Sequence, residues 1–168
     1  MDKFQLFEYV RSLDDLGWDV SQQLWNNPEL AGEERLAAEL MKNVLRKNEF
    51  KIYEIAGVNH AFYAEYGSGY PVIGLLGEYD ALAGLSQKVC AERKVIEEGG
   101  AGHGCGHNLL GTACLLAALG AKKLIENNKL RATVRFYGCP AEETLHGKVI
   151  MIKNGAFKKC DVALTWHP

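Results

Sequence analysis

The chain has 168 residues, the size of one ordinary domain, with 48% hydrophobic and 24% charged residues, a composition that excludes a disordered, collagenous or coiled-coil polypeptide. With 19 basic and 21 acidic residues the formal net charge is −2, so no broad electropositive face is implied for nucleic acid or anionic lipid. A chain of this length can fold without a disulfide or structural metal, and its five widely spaced cysteines, with no C-x-x-C pair, fit the reduced thiols of a cytoplasmic protein.

The start of the chain carries Asp2, Glu8 and Asp14 where a signal peptide has a basic start and an apolar stretch. Phe4, Phe7, Val10, Leu13, Leu16, Val20 and Leu24 recur at three or four residues, which predicts one amphipathic opening helix. Beyond the turn at Asn26-Asn27-Pro28, Leu36, Leu40, Met41, Val44 and Leu45 predict a second helix, with Glu33, Glu34, Arg35, Lys42, Arg46 and Lys47 on its polar side. Lys51 to Ala56 and His60 to Tyr66 read as two strands ending at Gly67-Ser68-Gly69, and the apolar run Val72 to Leu76 as a central strand. Leu109 to Asn127 reads as a helix whose apolar part, Leu109 to Ala121, is too short to span a bilayer. Arg131 to Gly138 is a strand, about Leu145 to Asn154 a helix, and Asp161 to Trp166 a last strand. This alternation predicts an α/β fold, a layered and largely parallel sheet flanked by helices.

In open α/β sheets, ligands bind beyond the carboxyl ends of the strands, and three predicted strand ends carry reactive side chains. They lead into Glu78-Tyr79-Asp80, Pro140-Ala141-Glu142-Glu143 and His167-Pro168, while Gly102-His103-Gly104-Cys105-Gly106-His107 precedes the long helix. Glycines alternating with His103, Cys105 and His107 allow a thiolate and imidazoles to converge on one ion, and a helix N-terminus favours the Cys105 thiolate. A plain glycine-rich turn is the other reading; G-H-G-C-G-H matches neither phosphate-binding glycine pattern. Glu142 and Glu143 read either as solvated carboxylates or as a divergent pair, one holding a metal and one moving a proton. Glu78 and Asp80 fit equally a cap for the segment at Leu82, and His167 gains interest only from its place after the last strand. His60, His146 and the other cysteines read as structural, and Trp18, Trp25 and Trp166 as packing residues.

Four segments taken together, Gly77-Glu78-Tyr79-Asp80-Ala81-Leu82, Gly102 to Asn108, Pro140 to Glu143 and Thr165-Trp166-His167-Pro168, resemble the amidohydrolase branch of the aminoacylase and carboxypeptidase metallopeptidases. Asn27-Pro28-Glu29-Leu30 and Gly84-Leu85-Ser86-Gln87 extend the resemblance over nearly the whole chain. Two positions depart from the family pattern: Ala83 replaces a proline, and Asn108 stands where many members carry aspartate. The resemblance implies Cys105, His107, Glu143 and His167 as metal ligands, Glu142 as general base, and Asp80 as a supporting active-site carboxylate. It implies two divalent ions, zinc or manganese, and hydrolysis of an N-acyl amino acid of the aminobenzoyl-glutamate kind by metal-activated water. It also implies that residues 1–168 are the N-terminal part of the catalytic domain, with the lid and dimerisation domain and the C-terminal half absent. Such a chain is expected to self-associate through exposed core and to have little activity alone. A noncatalytic metal-binding or interaction module derived from that enzyme is the alternative expectation.

Overall fold

The computed structural model describes residues 1–168. The first helix, α1 (Lys3–Arg11), is started by a reciprocal cap in which the Asp2 carboxylate accepts from the Gln5 backbone and the Gln5 side chain accepts from the Asp2 backbone. The single opening helix expected from the apolar period is instead two. Ser12 turns its hydroxyl back onto the Tyr9 carbonyl at 2.6 Å, and α2 (Asp14–Asn26) restarts with Asp14 and Asp15 in its first turn. α1 buries none of its residues, and Phe4 and Phe7 stay exposed.

The Glu29 carboxylate accepts from the backbone of Leu36 and Ala37 and so satisfies the open N-terminus of α3 (Arg35–Lys47). Of the expected apolar set α3 buries Met41, Val44 and Leu45, while Leu36 is exposed and Leu40 half-buried; it also buries Ala37, Ala38 and Lys42, and Glu34 just before it is fully buried. Neither charge lies on a solvated face.

The strands are β1 (Lys51–Glu54), β2 (Phe62–Gly67), β3 (Val72–Glu78), β4 (Thr133–Cys139) and β5 (Val162–Leu164), with α4 (His107–Asn128) between β3 and β4 and α5 (Gly147–Lys153) between β4 and β5. They form one sheet in the order β1-β2-β4-β3-β5. β3 pairs in parallel with β4 and β5, whereas β1 with β2 and β2 with β4 are antiparallel. The sheet is therefore mixed, not largely parallel: the first two strands form a hairpin, and β4 inserts between that hairpin and β3.

Side chains of the sheet alternate between two cores. Val134 and Phe136 join Phe62, Ala64 and residues of α2, α3 and α4 in the larger cluster, while Tyr137 and Cys139 join Ile55, Ala61 and Met151 of α5 in the smaller. Every residue of β4 is buried, as its central place requires. α4 is long and apolar enough by length and composition to cross a bilayer, longer than its apolar run suggested, and half of the apolar window is buried in this fold. Trp18 at 68% and Trp166 at 42% exposure are not the packing residues expected, because α2 turns Trp18 outward and all three β5 residues are exposed.

This topology aligns strand ends. Glu78 pairs with Cys139 across β3 and β4, and Leu75 pairs with Leu164 across β3 and β5. The segments holding Glu78 and Asp80, Glu142 and Glu143, and His167 therefore leave the sheet at one end, where α4 begins.

Candidate metal centre

His107 is the first residue of α4 and is fully buried. Gly106 before it has φ of 80°, the left-handed conformation that glycine adopts without strain, which lets the chain turn from Cys105 into the helix. Gly111, one turn on, lets α4 approach β3 closely: a Cβ there would lie 2.5 Å from the Glu78 carbonyl oxygen.

The His107 Nδ1 lies 2.9 Å from Asp80 Oδ1 and 3.0 Å from the Asp80 carbonyl oxygen. Both partners are acceptors, so Nδ1 carries the proton and donates. In the neutral ring Nε2 then holds a lone pair; it is buried and has no hydrogen-bond partner. Three carboxylates face it: Glu78 Oε2 at 3.2 Å, Glu142 Oε2 at 3.8 Å and Glu143 Oε1 at 3.9 Å. Glu143 Oε1 is likewise buried and unpartnered. Acceptors converging on an imidazole nitrogen repel one another unless a proton or a metal cation lies among them. Burial works against a charged ring, but the hydrogen bond to Asp80 and the charges of Asp80, Glu78 and Glu143 outweigh it, so the His107 pKa is raised.

Cys105 Sγ lies 3.3 Å from His167 Nε2, and the His107 and His167 rings meet edge to face at 5.6 Å. Candidate ligand atoms of Cys105, His107 and His167 lie within 4.8 Å of one another, as do those of Glu78, His107 and Glu142. His107 belongs to both groups. The helix N-terminus alone does not make Cys105 a thiolate. Burial and then Glu143 push its thiol up to about 11.

The Glu142-Glu143 turn is fixed from three sides. Asp80 Oδ2 accepts from the Glu143 backbone at 2.9 Å, Glu34 Oε1 accepts from the Ala141 backbone at 2.7 Å, and Ala141 accepts from the Gly147 backbone at 3.2 Å. Ala141 is held at φ of 54° and Leu145 at 59°, strained positions for side-chain-bearing residues that persist where neighbours over-determine them. Asp80 thus holds both His107 and Glu143 with one carboxylate. The Leu82 backbone donates instead to Gly102, and the Asp80 and Glu78 carboxylates bind His107, Glu143 and Lys148, so neither caps the segment at Leu82.

The structure brings together Asp80, Cys105, His107, Glu142, Glu143 and His167. It separates His103, whose Nε2 is 3.2 Å from the Leu24 carbonyl on α2. Its ring therefore anchors the glycine-rich loop and does not join the ion-facing group. His60 and His146 lie outside the cluster; the first offers its carbonyl to Tyr79 and the second precedes α5 without a side-chain capping bond. Cys114 and Cys139 are buried, whereas Cys90 is exposed, contrary to an apolar role. Sequence reasoning missed Glu34, Lys148 and the contact of Glu78 with His107. Glu34 reads as one more polar-face charge, and Lys148, which binds Glu78 Oε1, is 70 residues away from it. A small cavity of about 230 Å³ between Glu142, Leu145 and Lys148 adjoins the cluster. Larger clefts, such as one of about 530 Å³ beside Tyr53, Arg135 and Lys158, lie apart from it.

Residues 74–167 match the sequence profile described as peptidase family M20/M25/M40, a span containing every residue of the cluster. The chain belongs to this family. It is 49% identical over 152 residues to one of the subunits of the p-aminobenzoyl-glutamate hydrolase of Escherichia coli K12, a match covering 89% of this chain and 32% of that protein. It is 31% identical over 162 residues to the Xaa-Arg dipeptidase of Mus musculus, covering 89% and 34% respectively. The chain thus spans about a third of the length of the curated relatives it matches. Among solved structures it resembles the Bacillus subtilis YxeP protein, a dinuclear metal binding peptidase from the M20 family, with TM-score 0.78 and 22% identity over 94% of this chain and 43% of that one. The aminobenzoyl-glutamate utilization protein of Klebsiella pneumoniae matches with TM-score 0.67 and 16% identity over 96% and 46%. At these identities the structural matches establish the fold.

Proposed function

We propose that this chain carries the metal-binding part of a metal-dependent amidohydrolase that cleaves an N-acyl amino acid of the aminobenzoyl-glutamate kind. The observation that carries the reading is the buried, unpartnered His107 Nε2, faced by three carboxylates and bordered by Cys105 and His167. In this reading Cys105, His107, Glu143 and His167 hold divalent cations, two in the complete centre. Their mixed sulfur, nitrogen and oxygen set suits zinc and accepts manganese. Held by these residues, a cation would supply Lewis acidity toward the scissile carbonyl and toward water at neutral pH.

The protein's own residues supply the rest. Asp80 fixes the His107 tautomer, so the ring presents Nε2 and holds its Nδ1 proton away from the centre. Glu142, about 29% exposed, faces the cluster without being enclosed by it, a placement that suits a base accepting a proton from water and returning it to the departing amine. Because the curated relatives are about three times as long, we assign turnover to a chain of their length. The five free cysteines fit a cytoplasmic setting. The 49% identity to the Escherichia coli hydrolase supports the choice of substrate.

Metal analysis after dialysis against zinc tests the reading: wild type is expected to retain cation and the Cys105→Ser, His107→Ala double variant to lose it. Equal metal content in the two would overturn the site. In a chain of relative length, Glu142→Gln is expected to keep its cation and lower amino-acid release by about 100- to 10,000-fold, whereas Glu143→Gln loses cation. Retained metal without release of an amino acid from any N-acyl-glutamate would identify the noncatalytic module instead.

A further inference from the structure

Four carboxylates, Glu78, Asp80, Glu142 and Glu143, gather around His107, and the only Lys or Arg side chain paired with any of them is Lys148. Its ammonium donates to Glu78 Oε1, which leaves Oε2 of the same carboxylate 3.2 Å from His107 Nε2. The Glu78 side chain is 7% exposed and that of Lys148 28% exposed. The pair is largely enclosed.

Lys148 is held in place by the turn that carries the glutamates. Gly147 donates its backbone N–H to Ala141, and a Cβ at Gly147 would lie 1.8 Å from the Pro140 carbonyl oxygen, so α5 starts pressed against that turn. Met151, fully buried one turn on, fixes the other end of the helix. Anchoring of the α5 backbone leaves only the flexible stem of Lys148 to follow Glu78, which limits how far the ammonium can move with that side chain toward the centre.

We infer that Lys148 is a positioning residue that occupies one oxygen of Glu78 and so restricts this carboxylate to at most one oxygen toward a cation at His107. The inference rests on the metal-centre reading proposed above and extends it to a residue outside the ligand set. Glu78 has the reach of a ligand, since its oxygen lies within 4.8 Å of the ligand atoms of His107 and Glu142. Unrestrained, it could close on the ion through both oxygens, saturating positions that water and substrate need. Lys148 thereby limits the negative charge and the number of donors offered to the cation, a role played through Glu78 and distinct from touching substrate.

The test measures zinc affinity by competition with a chromophoric chelator, and cobalt(II) visible absorption, for wild type, Lys148→Met, Lys148→Arg, Glu78→Gln and the Lys148→Met, Glu78→Gln double variant. Circular dichroism confirms that each is folded. Lys148→Met is expected to bind zinc about tenfold tighter, as removal of a nearby positive charge and release of a carboxylate both favour a cation. Its cobalt bands should weaken, because added oxygen donors raise the coordination number. Lys148→Arg should restore both properties. In the Glu78→Gln background, Lys148→Met should leave the cobalt spectrum unchanged and give a smaller gain in affinity. Looser zinc binding in Lys148→Met, or the same gain with and without Glu78, would overturn the inference while leaving the metal centre standing. Wild type that takes up no cation would overturn both.

Discussion

Asp80 shows how much one buried carboxylate organises. One oxygen receives the His107 Nδ1 proton and the other the Glu143 backbone N–H. Asp80→Asn replaces one acceptor by a donor, so one of these two N–H groups must face another N–H. We expect zinc affinity to fall about 10- to 100-fold and stability by about 1–3 kcal/mol, read by chelator competition and urea unfolding. Glu34 ties the entry of α3 to Ala141 in a similar way, and burial raises its pKa above 4.5, with backbone donors from Gly32 and Ala141 offsetting part of the effect. The folded chain then holds this proton more tightly than the unfolded chain. The stabilising contribution is full below 4.5 and disappears as pH rises through the folded value. Urea midpoints of wild type relative to Glu34→Gln should therefore shift in favour of wild type on going from neutral pH to 4.5. The residues that gather at His107, namely Cys105, Glu142, Glu143 and His167, stand out in the sequence because they follow strands or lie before a helix. The anchoring role of His103 does not, because its partner is a carbonyl on α2, 79 residues earlier, and no spacing reveals that.

At the scale of elements, periodicity locates most helices and strands but not the interruption at Ser12. Apolar residues continue in step through Leu13 and Leu16, while a local serine hydrogen bond breaks the backbone ladder. The apolar pattern also hides how closely α4 lies on β3. Gly111→Ala would place a methyl 2.5 Å from the Glu78 carbonyl oxygen, and neither backbone can yield without moving His107. We expect a loss of about 1–3 kcal/mol from overpacking, despite the higher helix propensity of alanine, together with weaker zinc binding. A lower urea midpoint with unchanged affinity would show that the helix slides without disturbing its first turn.

For the whole molecule, layered α/β architecture is legible from alternating elements, whereas the sheet order is not. Insertion of β4 between β2 and β3 depends on pairings such as Tyr63 with Tyr137 and Leu75 with Phe136, which join distant parts of the chain. Because the centre draws on α4 and the ends of three strands, a cation there stabilises the assembled molecule by mass action. Free zinc at 100 times its Kd should add about 2.7 kcal/mol, raising Tm in a titration, and EDTA should abolish the gain. The contribution of β5 is unequal to the others: Val162, Ala163 and Leu164 are all exposed, although this strand delivers His167. Within residues 1–168, detachment of β5 uncovers little apolar surface compared with opening β4, so sub-global unfolding at this edge is expected to cost less than opening the central strand. Exit of the ion can then follow transient peeling of one short strand while the rest of the fold endures, and amide hydrogen exchange in β5 would keep time with metal release.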